Sequence, residues 1–376
     1  MLIDVDAALT RLPPQYFDPA QPAGLDERTQ TFSLYSYDDV VRLLTDRTSF
    51  TSDYGINEAD LPNLHPAWAG MWATDGQRHE VLRSAVADPF RPGYLAWLEP
   101  RVRDIAVELI EATPESGPYD ITDLARVLPS RVICLILDLP MDATERVMGW
   151  IDETSAVTSV AALPSQPEMA GYFREMINQQ KRRPGHGLLG ELVRAQANGA
   201  PLSDWDLLGY AVMLLSAAID TTTTVICNAL LFLSEYGHAE KLAAEPELVG
   251  PAIEEVLRWY PPFPAQTRIS ARELELNGVT IPRGTPVSGY LSAANRDPVR
   301  FPDPDRFDPA RSPNPHLSFG RGKHFCLGAA LARLELNIAV REMLARRPRL
   351  RWDRTVPLER HHGAVHRLTR AVFQMG

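Results

Sequence analysis

Apolar residues recur at three- and four-residue spacing from about Arg78 to Pro348, the period of helices that bury one face. Two segments stand out. From Ser203 or Asp204 to about Glu235 the chain is apolar almost all round, with Leu207, Leu208, Ala211, Leu214, Leu215 and Ala218 on one stripe. At 1.5 Å per residue this predicts a helix of roughly 45–50 Å, long enough to cross a domain and buried on every side. Asp220 and a run of four threonines interrupt it. The second segment, Leu248–Tyr260, is stopped by Pro261-Pro262.

Elsewhere the pattern shortens. A strand is predicted at Phe32–Tyr35 and a helix at Tyr37–Leu44, opened by Ser36, Asp38 and Asp39. Residues 51–70, with Gly55, Pro62, Pro66 and Gly70, predict a long loop of the kind that often binds ligands. Arg268–Thr280 and Thr285–Leu291 predict strands around a Pro282-Arg283-Gly284 turn. Residues 295–323 form an extended meander, a long helix runs from near Cys326 to about Arg346, and 350–376 suggest a terminal hairpin. No repeat or linker divides the chain. The expectation is one domain over 1–376, mainly α with a small β portion.

Composition narrows the function classes. The balance of 38 Lys+Arg against 48 Asp+Glu gives −10, which argues against general nucleic-acid binding. Three scattered cysteines, Cys134, Cys227 and Cys326, exclude a disulfide framework and suit a reducing compartment. The first residues show no basic region followed by an apolar core, and no run approaches the roughly 18 apolar residues of a membrane span. A soluble, cytoplasmic protein without nucleic-acid or membrane partners is expected.

The chemistry concentrates in Phe319-Gly320-Arg321-Gly322-Lys323-His324-Phe325-Cys326-Leu327-Gly328. Two glycines before a cysteine let the backbone turn tightly and aim N–H groups at the sulfur. A helix N-terminus beside it favours thiolate, a good ligand for haem iron. A buried structural cysteine, or a zinc site from His316, His324 and Cys326, is the competing reading, but neither accounts for the whole string. That string resembles the cysteine-ligand signature FGxGxHxCxG of the cytochrome P-450 family. Glu255-Val256-Leu257-Arg258 resembles the family's ExxR and Phe307-Asp308-Pro309-Ala310-Arg311 its FxPxR. Together they imply a structural lock of Glu255, Arg258 and Arg311. Ala217-Ala218-Ile219-Asp220-Thr221-Thr222 is similar to the [AG]GxDT motif of the central I helix, with Ala218 where glycine is usual. An unpaired carboxylate inside a buried helix is costly, which marks Asp220 as functional. Thr221 is four residues after Ala217, so its hydroxyl can bond that carbonyl and open the helix locally.

The resemblance covers roughly residues 31–350. It implies the cytochrome P-450 fold, a triangular helical prism with haem between the long I helix and the L helix. It implies haem b with Cys326 as iron ligand, and propionate partners at His79 and Arg83 (an HxxxR), Arg268 and His324, with Phe319 beside the ligand loop. Catalysis is implied at Thr221, which steadies activated dioxygen, and at Asp220, which gates proton delivery. The implied activity is insertion of one atom of dioxygen into a C–H bond of a small, largely apolar substrate. A peroxide-driven peroxygenase of the same fold and a non-catalytic haem-binding recruitment or sensor domain are the alternatives; the Asp220-Thr221 pair argues against both. No fused flavin or nicotinamide domain follows the L helix, so a ferredoxin and its reductase are the expected electron donors. Arg321, Lys323, Arg333, Arg341 and Arg346 form a candidate docking patch. The substrate pocket is expected from residues 53–72, 157–172, Gly209–Thr221, Pro262–Gln266 and His362–Val365. Small apolar side chains there, such as Val157, Val160, Ala161, Ala162 and Leu163, favour a compact natural product of terpenoid or polyketide type.

Overall fold

The computed structural model describes residues 16, 18–21, 23–26, 31–56, 59–155, 166–362 and 364–375. Its helices are α1 (Tyr37–Thr45), α2 (Gly76–Ala85), α3 (Pro92–Glu111), α4 (Ile121–Leu137), α5 (Thr144–Ser155), α6 (Pro167–Arg182), α7 (Leu188–Ala197), α8 (Asp204–Glu235), α9 (Ala239–Ala244), α10 (Val249–Trp259), α11 (Leu291–Ala294) and α12 (Ala329–Arg346). The strands are β1 (Gly24–Asp26), β2 (Thr31–Leu34), β3 (Phe50–Thr51), β4 (Gly117–Asp120), β5 (Ala265–Ser270), β6 (Leu274–Leu276), β7 (Val279–Ile281), β8 (Pro286–Tyr290), β9 (Arg351–Trp352), β10 (Glu359–His362), β11 (His366–Arg370) and β12 (Val372–Met375).

Local chemistry sets the helix starts. Ser36 caps α1 by accepting from the Asp39 N–H, and Asp120 caps α4 through Thr122. Ser203 and Asp206 form a reciprocal capping box at the head of α8. That helix spans 32 residues and packs against α4, α6, α10 and α12, so most of its all-round apolar surface is met by protein. Among the described residues it alone is long and apolar enough to cross a membrane, but 78% of its most apolar stretch is buried, as in a core helix.

The main sheet has the order β1-β2-β8-β5-β3, with β2 and β8 parallel and the other pairs antiparallel. Its register places Arg268 opposite Val287. Three expectations are corrected here. The long strand expected over 268–280 is divided among three: β5 ends at Ser270, β6 follows at Leu274–Leu276, and Asn277 and Gly278 at positive φ fold β7 back on β6. Residues 51–70 are not a free loop: short 3₁₀ turns at Leu61–Asn63 and Pro66–Ala69, continued at Met71–Ala73, let the segment pack on α8. The terminal segment is more than a hairpin. β10 and β11 pair with each other, while β12 lies between β4 and β9 and ties the end of the chain to the head of α4.

The meander is held as the motifs imply. Both nitrogens of the fully buried Arg258 fork contact Glu255, at 2.7 and 2.8 Å, and Arg311 Nε lies 3.2 Å from each Glu255 oxygen. Arg258 also donates to the carbonyls of Asn295 and Pro304. Glu255 accepts the Asp308 N–H as well, so both ions are fully bonded. Removing one partner of such a buried pair typically costs about 3–5 kcal/mol, because the other charge is stranded. This lock fixes the chain just before the cysteine loop.

Candidate active site

The loop from Phe319 to Gly328 is shaped by its glycines. Gly320 and Gly322 take φ of 69° and 75°, and a Cβ at Gly322 would meet the Leu44 carbonyl at 2.9 Å. The Cys326 N–H donates to Phe319 O at 2.8 Å and closes the loop. α12 starts at Ala329 rather than at Cys326, so the cysteine lies in the turn leading into the helix. The Cys326 residue has accessible surface, yet protein surrounds the sulfur closely enough for desolvation to push its thiol above the ordinary value. The Gly328 N–H, Arg83 and Arg333 pull the other way without overcoming it. Burial is thus the largest influence on the free thiol, and a bound iron would deprotonate it outright.

α8, which packs against α12, shows a narrow window. From Asp206 to Leu233 every residue is buried except Ser216, Ala217, Ala218 and Thr221. The Thr221 hydroxyl donates to Ala217 O at 2.6 Å. The helix continues unbroken through this bond, so the expected local opening does not interrupt it. Asp220 is not the unpaired carboxylate the sequence suggested. It lies 3.1 Å from Arg367 Nη1 on β11, and the same guanidinium reaches Asp152 on α5 at 3.2 Å. Asp152 in turn meets Arg126 at 2.5 Å. Asp220 is 4% exposed whereas the Asp152 side chain is 44% exposed, so this ion network runs from the α8 core to the surface.

A second cluster gathers around α2. His79 is buried, and its ring centroid lies 4.3 Å from that of His324. Neither His79 nitrogen has a hydrogen-bond partner. Desolvation, helped by His324 and Arg83, lowers its pKa to about 4. Arg83 donates to Phe325 O at 2.8 Å, which brings α2 to the cysteine loop. Arg268 is 9% exposed and, among the described residues, donates to the Thr267 carbonyl and, at 3.5 Å, to Gln266 Oε1, with Asp75 near enough to favour its charge. Phe319 lies under the Arg333 guanidinium at 4.4 Å. Sequence reasoning missed Asp75. It sits at the N-cap of α2 without capping it, because its oxygens accept from Thr51 Oγ1 and the Ser52 N–H and face His324 Nε2 at 2.9 Å. Burial would raise this carboxyl, but these bonds hold it well below the usual range. The signal was an Asp-Gly at a helix start whose side chain has a better partner than the helix.

These residues fit a haem. Among the described residues, a buried imidazole with no hydrogen-bond partner and a guanidinium in no ion pair, together with an accessible cysteine, suit an anionic group with a metal centre. His79 also yields a pH test with a definite sign. Its folded pKa of about 4 lies below the ordinary 6.5, so the unfolded chain takes up its proton first. Haem-free protein should lose stability as pH falls from 6.5 towards 4, and His79→Gln should flatten that loss. Melting curves across this window check it; identical slopes in both proteins would contradict it.

The basic patch is corrected. Lys323 pairs with Glu80, Arg333 with Glu254, and Arg346 with Glu342 and Glu111, while Arg321 donates to the Tyr37 hydroxyl. Much of its charge is neutralised within the chain. Of the pocket segments, residues 157–165 lie outside the described residues, as do 57, 58 and 363.

Comparison with known proteins accords with this geometry. A family model described as Cytochrome P450 matches residues 167–347. The chain is similar to mycinamicin IV hydroxylase/epoxidase of Micromonospora griseorubida, 36% identical over 78% of this chain and 76% of that protein. It is similar to erythromycin C-12 hydroxylase of Saccharopolyspora erythraea, 33% identical over 91% and 88%. The crystal structure of CYP109E1 from Bacillus megaterium in complex with testosterone superposes with a TM-score of 0.89, at 30% identity over 95% of both chains. A glycine-framed cysteine and a long buried helix that carries an acid–alcohol pair, on this fold and with these relatives, place the chain in the cytochrome P450 family.

Proposed function

We propose that this P450 monooxygenase tailors a compact, largely apolar natural product of polyketide or terpenoid type. The observation that carries the reading is the window on α8, where Thr221 and Asp220 stand at the one accessible stretch of an otherwise buried helix. When bound, haem supplies the redox chemistry that cleaves dioxygen, with a cysteine thiolate as iron ligand. Cys326 supplies that thiolate. His79, Arg83, Arg268 and His324 hold the propionates, with Asp75 orienting His324. Thr221 Oγ holds a proton beside the window, and Asp220 passes protons inward from the Arg367–Asp152 network.

The substrate side is apolar and close-fitting. Tyr54, Trp68 and Trp72 form a ring cluster with centroids 4.5–5.7 Å apart. The segment carrying them lies so near α8 that a Cβ on Gly209 would meet Ala69 Cβ at 2.9 Å. Relatives named for hydroxylation of mycinamicin IV and of erythromycin support the same class. Ferredoxin and ferredoxin reductase are the proposed electron donors.

A binding screen of haem-loaded enzyme tests the substrate class. Macrolactones and terpenoids should give the low-to-high-spin Soret shift, and a reconstituted ferredoxin system should convert the best of them to a product one oxygen heavier. Spectral shifts confined to charged, polar metabolites would sink the reading.

A further inference from the structure

One buried amide joins two segments that pack on α8 beside the window. Gln166 stands just before α6 with φ 43° and ψ 65°, a left-handed backbone that residues other than glycine and asparagine seldom adopt. Its side chain does not cap the helix. It is 5% exposed and turned to α5 instead, where Nε2 donates to Trp150 O at 2.7 Å and to Glu153 Oε2 at 3.2 Å. Its Oε1 accepts from the Thr154 hydroxyl at 3.1 Å and faces His65 Nε2 at 3.2 Å. Turning the amide over would set its oxygen against the Trp150 carbonyl and the Glu153 carboxylate, so the partners fix its orientation.

His65 completes the clamp. It is 1% exposed, and its Nδ1 accepts the Ala67 N–H at 3.2 Å at the head of the 3₁₀ turn Pro66–Ala69. With Nδ1 an acceptor, Nε2 carries the proton that Gln166 Oε1 receives. Trp72 Nε1 donates to Ala67 O at 2.7 Å, which makes residues 65–72 one compact unit. That unit reaches the window: a Cβ on Gly70 would meet Met213 Sδ at 2.7 Å, and Met213 precedes Ser216 and Ala217 by three and four residues. On its other side α5 is held by Arg126, through Asp152 and Met148 O. Two residues are about 200° of helix turn, so 148 and 152 face away from 150 and 154. Among the described residues no side-chain hydrogen bond ties 65–72 to α5 directly; the Gln166 amide is the link.

We propose that Gln166 is a positioning residue: with His65 it holds residues 65–72 to the last turn of α5, and this clamp governs how long a molecule at the window stays. Parting the two walls would strand buried donors and acceptors on both sides, so the amide opposes release. This role rests on the α8 window being the substrate side, and not on which natural product binds there.

The test uses haem-loaded wild type, Gln166→Gly, His65→Asn and the double variant. Glycine takes the left-handed backbone without strain, and asparagine still caps the 3₁₀ turn, so each change removes the clamp and spares the local fold. The probe is 4-phenylimidazole, which binds iron through its azole whatever the natural substrate and carries an apolar tail. Its release is followed at the Soret band on displacement by excess imidazole. Each single variant should release it about fivefold faster, the worth of one buried hydrogen bond, and the double variant no faster than either. Bare imidazole, with no tail to hold, should bind all four proteins alike. Unchanged release, additive effects in the double variant, or an equal change with bare imidazole would each overturn the proposal. Should a variant fail to fold, hydrogen exchange of the wild type decides: 4-phenylimidazole should slow the amides of 65–72 and 150–154 together, and slowing in only one segment, or in neither, would refute the clamp.

Discussion

Cys326→Ala is expected to abolish the long-wavelength Soret band of the reduced carbon-monoxide complex, and with it all monooxygenase turnover. Cys134→Ala and Cys227→Ala should leave both intact. The three cysteines differ in a way that decides this. Cys134 and Cys227 have no exposed surface, and burial pushes their thiols up to about 11 and about 12. Neither can present a thiolate. Cys326 has accessible surface, an N–H from Gly328, and Arg83 and Arg333 close enough to favour the anion. Desolvation still holds its free thiol protonated, but coordination to a metal deprotonates a thiol outright. Haem loading should therefore release a proton, and Cys326→His should move the carbon-monoxide band towards the imidazole-ligated position. Loss of the band in Cys134→Ala or Cys227→Ala, with Cys326→Ala unaffected, would overturn the assignment.

What could be read from the chain depended on how local it was. The glycine–cysteine string lies on consecutive residues, and its positive-φ turns and the Cys326 N–H bond follow from those residues alone. The Glu255–Arg258 fork is one helical turn, so spacing already implied it. α8 was legible because its apolar run is long and capped by Ser203 and Asp206. Features set by distant segments were not legible. Asp220 seemed unpaired because Arg367 is 147 positions away, on a strand whose register no local pattern discloses. The weight of burial on the free Cys326 thiol was not legible either, because desolvation depends on everything around the sulfur, not on the helix end. The ion pairs that neutralise part of the candidate docking patch were hidden for the same reason, since Glu80 and Glu254 lie far in sequence from Lys323 and Arg333.

The Asp220–Thr221 pair carries the other large effect. Thr221→Ala should keep consuming reductant and oxygen but release mostly hydrogen peroxide, because the hydroxyl at the window no longer holds its proton there. Asp220→Asn should instead slow turnover, and losses of this proton-transfer kind are typically about 10²–10⁴-fold. The network explains why the two should differ. Thr221 is bonded to its own helix at Ala217 O and touches the accessible side, whereas Asp220 points to Arg367 and the surface-reaching Asp152. Removing Arg367 would take a cation from the buried Asp220 while Asp152 keeps Arg126, so Arg367→Leu should lower stability as well as activity. Thr222 is the control: it is buried, away from the window, with Ala218 at its i−4 position. Product formed per reductant oxidised, measured for Thr221→Ala and Thr222→Ala side by side, decides the register. Uncoupling confined to Thr222→Ala would place the hydroxyl one residue on, and full coupling in both would mean that neither hydroxyl governs how oxygen is used.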